Sequence, residues 1–190
     1  MENHKPAICF FDSHFIWGGG EKWHHETAMF FKQKKHNVIM CAAKNSELFH
    51  KMKVEMPTFG VTLSNLSFLN PFTYFTIYRL LKKHNVDTII LCLPIDVKVA
   101  GVAAKLAGVT NIMYGRGCAI AVKNSVSNRF LFKHILTHVI ANSHATKATI
   151  LQNNESLIDS DKIVVLYNGI NLDSAQITSK DAAQNRIVIG

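Results

Sequence analysis

The sequence predicts an α/β fold, a doubly wound parallel sheet of about seven strands with helices on both faces. Three observations predict it. Short, near-continuously apolar runs recur along the chain, as parallel strands covered on both faces require. Segments of helical periodicity separate these runs almost without interruption. The first run, Ile8-Cys9-Phe10-Phe11-Asp12, leads within a few residues to Gly18-Gly19-Gly20-Glu21 and a helical pattern. In an open parallel sheet, that edge is where ligands bind.

Strands are expected over residues 7–11, 37–42, 61–63, 88–93, 111–114, 138–141 and 163–166. The first helix spans residues 21–35 by its pattern. Asn70-Pro71 reads as an N-cap followed by proline at the first helical position, with Tyr74, Ile77, Tyr78 and Leu81 at helical spacing. Asp96 is expected to cap the next helix, which ends at Gly108. Asn124 or Ser125 opens a helix through residue 136, and Ser143 opens another through about residue 152. These elements assign residues 1–172 to one domain. Residues 173–185 are polar and weakly patterned, like a linker. Residues 186–190 then read as the first strand of a second α/β domain.

The chain has 190 residues, 48% hydrophobic and 18% charged, a globular composition. No stretch approaches the roughly 18 apolar residues of a membrane helix. The N-terminus lacks the apolar core of a secretory signal, so a cytoplasmic location is expected. Cys9, Cys41 and Cys92 lie in apolar runs and Cys118 in a loop, without a C-x-x-C pair; no metal site is expected. The adjacent pair His24-His25 points to different helix faces. The net charge of +8 points to an anionic partner, a phosphorylated substrate or an anionic membrane surface. Basic clusters fall at Lys32-Lys34-Lys35, Arg79-Lys82-Lys83 and Lys123-Arg129-Lys133. Nucleic acid is not expected, because no recognised binding motif is present. Phe15, Trp17, Phe68, Phe72, Tyr74 and Phe75 could line an apolar acceptor or lipid-facing surface, but a core role is expected for most.

Three residues without Cβ let a ligand approach the backbone, and the free N–H groups at a helix start favour an anion. Gly18, Gly19, Gly20 and Glu21 are therefore the candidate phosphate site. Glu21 either complements the positive end of the helix or orients the glycine loop. A dinucleotide fingerprint fails here: Trp23 is too bulky for its third glycine position, and the second strand ends in Lys44 rather than an acid. Lys44 leaves only an NADP reading open. The G-K-[ST] of a P-loop is absent.

The Gly18-Gly19-Gly20-Glu21 loop resembles the Gly-Gly-x-Glu loop of family-4 glycosyltransferases of the GT-B fold. Residues 139–147 (VIANSHATK) are similar to that family's strand–Ser–helix element. Residues 162–173 (KIVVLYNGINLD) resemble its strand–Asn-Gly-Ile–Asp element. All three occur in the family's order over nearly the whole chain.

The resemblance implies a Rossmann-like N-terminal, acceptor-side domain, one half of a GT-B enzyme whose second domain holds most of the nucleotide-sugar. The substrate would be a UDP- or GDP-sugar, with no cofactor and no metal. The acceptor would be a cell-surface glycan or lipid-linked molecule, as in lipopolysaccharide or polysaccharide biosynthesis. The enzyme would be a retaining hexosyltransferase of bacterial type, peripheral at the inner membrane face, and this chain alone would be inactive. Many family members carry a histidine just after the fifth strand; here Arg116 occupies roughly that place, between Gly115 and Gly117. A guanidinium cannot act as a base but clamps phosphate or carboxylate. Arg116, Asp12 and Ser143 are thus candidate acceptor or anion-binding residues, although an N-cap is the simpler role for Ser143. The alternatives are a stand-alone Rossmann-like nucleotide- or cofactor-binding domain and a GT-B sugar-nucleotide epimerase.

Overall fold

The computed structural model describes residues 7–169; the expected linker and terminal strand lie outside the described residues. Seven strands form one parallel sheet: β1 (Ala7–Asp12), β2 (Asn37–Ala43), β3 (Thr58–Val61), β4 (Val86–Leu91), β5 (Asn111–Arg116), β6 (His138–Ala141) and β7 (Ile163–Val165). Their spatial order is β3-β2-β1-β4-β5-β6-β7, and every neighbouring pair is parallel. The order reverses between β1 and β4. A crevice opens at such a switch point because consecutive crossovers leave to opposite sides.

Alternation along the strands divides the core between the two faces. Ile8 and Phe10 of β1 join Val38, Met40 and Ala42 of β2 on one side. That side is covered by α1 (Gly19–Gln33) and α2 (Glu47–Met52), which contribute Ala28, Leu48 and Met52. Cys9, Phe11, Cys41, Leu91 and Ile112 belong to the other side. There they meet α3 (Pro71–Lys83), α4 (residues 94–106) and α5 (residues 126–135). The last helix, α6 (His144–Leu151), buries Ile150.

Helix ends follow the local chemistry. The Asn70 side chain accepts from the Phe72 N–H at 3.0 Å, with Pro71 next in line. Ser125 accepts from the Asn128 N–H and Ser143 from the Thr146 N–H. Gly108 ends α4 at φ 77°, where a side chain would be strained. Two helices change pitch: Val97–Gly101 within α4 and Leu131–Ile135 within α5 are π-helical.

Four expectations need correction. The third strand lies at Thr58–Val61 rather than residues 61–63, on a half-exposed edge without a continuous apolar run. Asp96 does not cap α4. Leu93 precedes Pro94 at the first helical position, and Asp96 sits inside, its carboxylate accepting from the Leu93 N–H at 2.9 Å. Cys92 is not inside a strand but follows β4. Phe15, Phe68, Phe72 and Phe75 are exposed rather than core residues.

Candidate functional site

The carboxyl ends of β1, β4, β5 and β6 converge on a cleft of about 460 Å³ at the switch point. The glycine loop lines one wall, Cys92 and Leu93 the floor, and Gly115, Arg116, Gly117 and Asn142 the opposite wall. The ends of β6 and β7 close it with Ile140, Leu166 and Asn168.

Gly18, Gly19, Gly20 and Glu21 therefore all border the cleft. Gly18 is the N-cap of α1, in extended conformation and without a capping side chain. None of the three glycines has positive φ, so their role is close approach rather than backbone strain. A Cβ at Gly19 would meet nothing within 4 Å, whereas one at Gly20 would come 3.3 Å from the Cys92 sulfur. The first turn of a fifteen-residue helix thus borders the cleft, with room beside Gly19. Chemically, such a helix start favours an anion.

Glu21 is nearly buried and its Oε1 lies 2.7 Å from His14 Nδ1. An ionised carboxylate only accepts, so Nδ1 carries the proton in this contact. Glu21 Oε2 stands 3.1 Å from where a Gly18 Cβ would be. The carboxylate thereby ties the segment after β1 to the glycine loop.

Asp12 is fully buried behind this wall and does not line the cleft. Its Oδ1 accepts from the His14 N–H at 3.0 Å, and Oδ2 has no hydrogen-bond partner. Burial raises its pKa to about 6. Asp96, also fully buried, accepts from Ser13 Oγ and the Leu93 N–H; burial nonetheless raises its pKa to about 7. Both carboxyls hold the two loops that flank the switch point. Ser143 caps α6 and also lies outside the lining; its neighbour Asn142 takes that place.

Arg116 ends β5 and lines the cleft. Its guanidinium donates through Nη2 to the Ile120 carbonyl at 2.5 Å and lies over the Tyr114 ring. Its Nε is buried without a partner. The clamp chemistry expected of it is thus partly committed to the protein and partly free.

His24 and Cys92, which were not site candidates from the sequence, gather here with Asp12. Asp12, His24 and Cys92 place one donor atom each within 4.8 Å of the others, and these are the residues that could hold a metal. His24 Nδ1 has no hydrogen-bond partner and burial lowers its pKa to about 3. Burial first, then the carboxylates of Asp12 and Asp96, hold the Cys92 thiol protonated far above the usual range. A cation would have to displace that proton. Only the meeting of β1, α1 and β4 brings the three together; no spacing signals it. Lys44, the one residue that kept an NADP reading open, does not line the cleft.

Known structures show the same architecture. A glycosyltransferase from Rickettsia africae superposes with a TM-score of 0.74 at 24% identity, over 89% of this chain and 44% of that one. Anabaena HepE, solved with UDP and glucose, gives 0.68 at 18% identity, over 87% and 45% of the two chains. The lipopolysaccharide outer core galactosyltransferase WaaB gives 0.68 at 18%, over 94% and 50%. These likenesses establish the fold, and the chain spans half or less of each structure's length. No curated protein matches the sequence. The model of Glycosyltransferase Family 4 matches residues 17–174, six of the seven strands and all of the cleft lining except His14, and on that match the chain belongs to this family.

Proposed function

We propose that this chain is the acceptor-side, N-terminal domain of a retaining glycosyltransferase that uses a nucleotide-sugar. The observation that carries the reading is the switch-point cleft, where the glycine loop faces Arg116. Bare amides at the start of α1 suit the diphosphate or the departing phosphate of a donor. Arg116 suits an anionic group next to it. The donor is a UDP- or GDP-sugar, and no cofactor is called for. A second α/β lobe closing over the cleft would exclude water and complete the donor site. Alone, the chain would then be catalytically silent.

The acceptor is a glycan or lipid-linked molecule, of the kind used in lipopolysaccharide or polysaccharide assembly. The exposed face of α3 supports a peripheral position at an anionic membrane. Phe72 and Phe75 stand outside, followed on the same face by Arg79, Lys82 and Lys83. No helix among the described residues is long and apolar enough to cross a membrane. Family membership favours transfer over the epimerase and stand-alone binding alternatives.

The test is product analysis with the two-lobe enzyme. It should release nucleoside diphosphate only with acceptor, and the sugar should keep its anomeric configuration by NMR. Interconversion of the nucleotide-sugar without an acceptor would replace this reading with the epimerase.

A further inference from the structure

Behind the glycine wall of the cleft, two buried polar atoms stand without a hydrogen-bond partner, Asp12 Oδ2 and His24 Nδ1. Asp12 is 0% exposed and His24 1%. The two atoms are 4.0 Å apart, too far to bond to each other. Buried polar groups are nearly always paired, so two neighbouring orphans call for an explanation. The Cys92 sulfur completes the group: one donor atom from each residue lies within 4.8 Å of the others. Among the described residues no other three such donors converge.

The surroundings hold these donors in place. Asp12 Oδ1 accepts from the His14 N–H at 3.0 Å, which leaves Oδ2 aimed at the group. The His24 ring packs edge-on to Phe10 at 5.7 Å and against Trp23 at 5.3 Å. Gly20 makes room for the sulfur, since a Cβ there would come within 3.3 Å of it. His24 and Cys92 also line the cleft, which gives a path in from solvent.

We infer that Asp12, His24 and Cys92 form a binding site for a zinc ion. Sulfur, imidazole nitrogen and carboxylate oxygen are the ligand types zinc takes, whereas magnesium and calcium want oxygen ligands alone. Tetrahedral zinc sets such atoms about 3.3–3.6 Å apart, so inward shifts of about 0.5–1 Å close the group. On binding, the S–H bond of Cys92 breaks, its proton passes to solvent and the sulfur lone pair forms the bond to zinc. One carboxylate and one thiolate then balance the double positive charge, with the imidazole neutral, so the buried assembly carries no net charge. The fourth tetrahedral position faces the cleft and is open to water. The inference does not depend on the transferase reading.

The test uses zinc and cobalt ions alone with the full chain. Competition against a chromophoric chelator should show about one zinc per chain. Cobalt in the same site should give the intense visible bands of tetrahedral coordination and a thiolate-to-metal charge-transfer band in the near ultraviolet. Cys92→Ser should abolish that band and weaken zinc at least about a hundredfold, and Asp12→Asn should weaken zinc at least about tenfold. Cys118→Ser, at an exposed position outside the group, should keep both the band and the affinity. That variant leaves all three ligands intact, so its spectrum decides the matter even where a substitution inside the group prevents folding.

No zinc bound in competition with the chelator, a cobalt spectrum without a thiolate band, or a band that survives Cys92→Ser and vanishes with Cys118→Ser would each overturn the inference.

Discussion

His14 Nδ1 and the Glu21 carboxylate stand 2.7 Å apart, joining the segment that leaves β1 to the first turn of α1. Glu21 is nearly buried while His14 is 43% exposed, so solvent weakens the pair. Its role is to hold the glycine loop against the sheet edge. His14→Ala should destabilise the chain by about 1 kcal/mol, read as a lower urea midpoint with unchanged slope. An unchanged midpoint would mean the loop is held by other contacts.

Asp96 makes stability depend on pH. Its folded pKa of about 7 lies above the unfolded value of 3.8. Between those values the folded chain keeps a proton that the unfolded chain has released. Stability from this group is therefore lost as pH rises from about 4 to 7. Asp12, at about 6, acts in the same direction. His24 opposes them: its folded pKa of about 3 lies below 6.5, so its contribution is lost as pH falls through that range. Asp96→Asn should thus be more harmful at pH 5 than at pH 8, by on the order of 3 kcal/mol. Urea titrations at the two pH values check this; an equal effect at both contradicts it.

Much of the sheet is legible because parallel strands covered on both faces cannot avoid being apolar. β6 at His138–Ala141 is an example, with Val139 and Ala141 fully buried. β3 is not legible in the same way. It pairs on one side only, and Thr58 and Gly60 interrupt its apolar character. The short α2 announces itself only through Ser46, which accepts from the Phe49 N–H. In the site, the glycine loop is visible as a local pattern, and Arg116 through the family resemblance. The burial of Asp12 and its meeting with His24 and Cys92 are not, because they depend on three elements distant in sequence.

Gly19→Ala separates fold from function. The added Cβ meets nothing within 4 Å and φ is not positive. Stability should be unchanged or raised by about 0.5 kcal/mol. If the bare amides receive the donor phosphate, transfer by the two-lobe enzyme should fall at least about tenfold. Thermal melts and initial rates on the same preparation test both halves. Full activity in this variant would remove close backbone approach from the mechanism.

The exposed face of α3 gives an independent prediction. Phe72→Ser together with Phe75→Ser should reduce partitioning onto vesicles of mixed phosphatidylglycerol and phosphatidylethanolamine by about tenfold. Both side chains are exposed, so thermal stability should hold. Raising the salt should weaken wild-type binding. Equal partitioning of wild type and variant would move the membrane contact elsewhere.

On our proposal, the cleft between the glycine loop and Arg116 is half of a donor site. Calorimetric titration of UDP and GDP into this chain, and into the chain joined to its second lobe, tests it most directly. Neither nucleotide should saturate the chain alone up to about 1 mM, and one of them should bind at least about a hundredfold tighter when both lobes are present. Equally tight binding to the chain alone would contradict it, because the cleft would then be a complete nucleotide site.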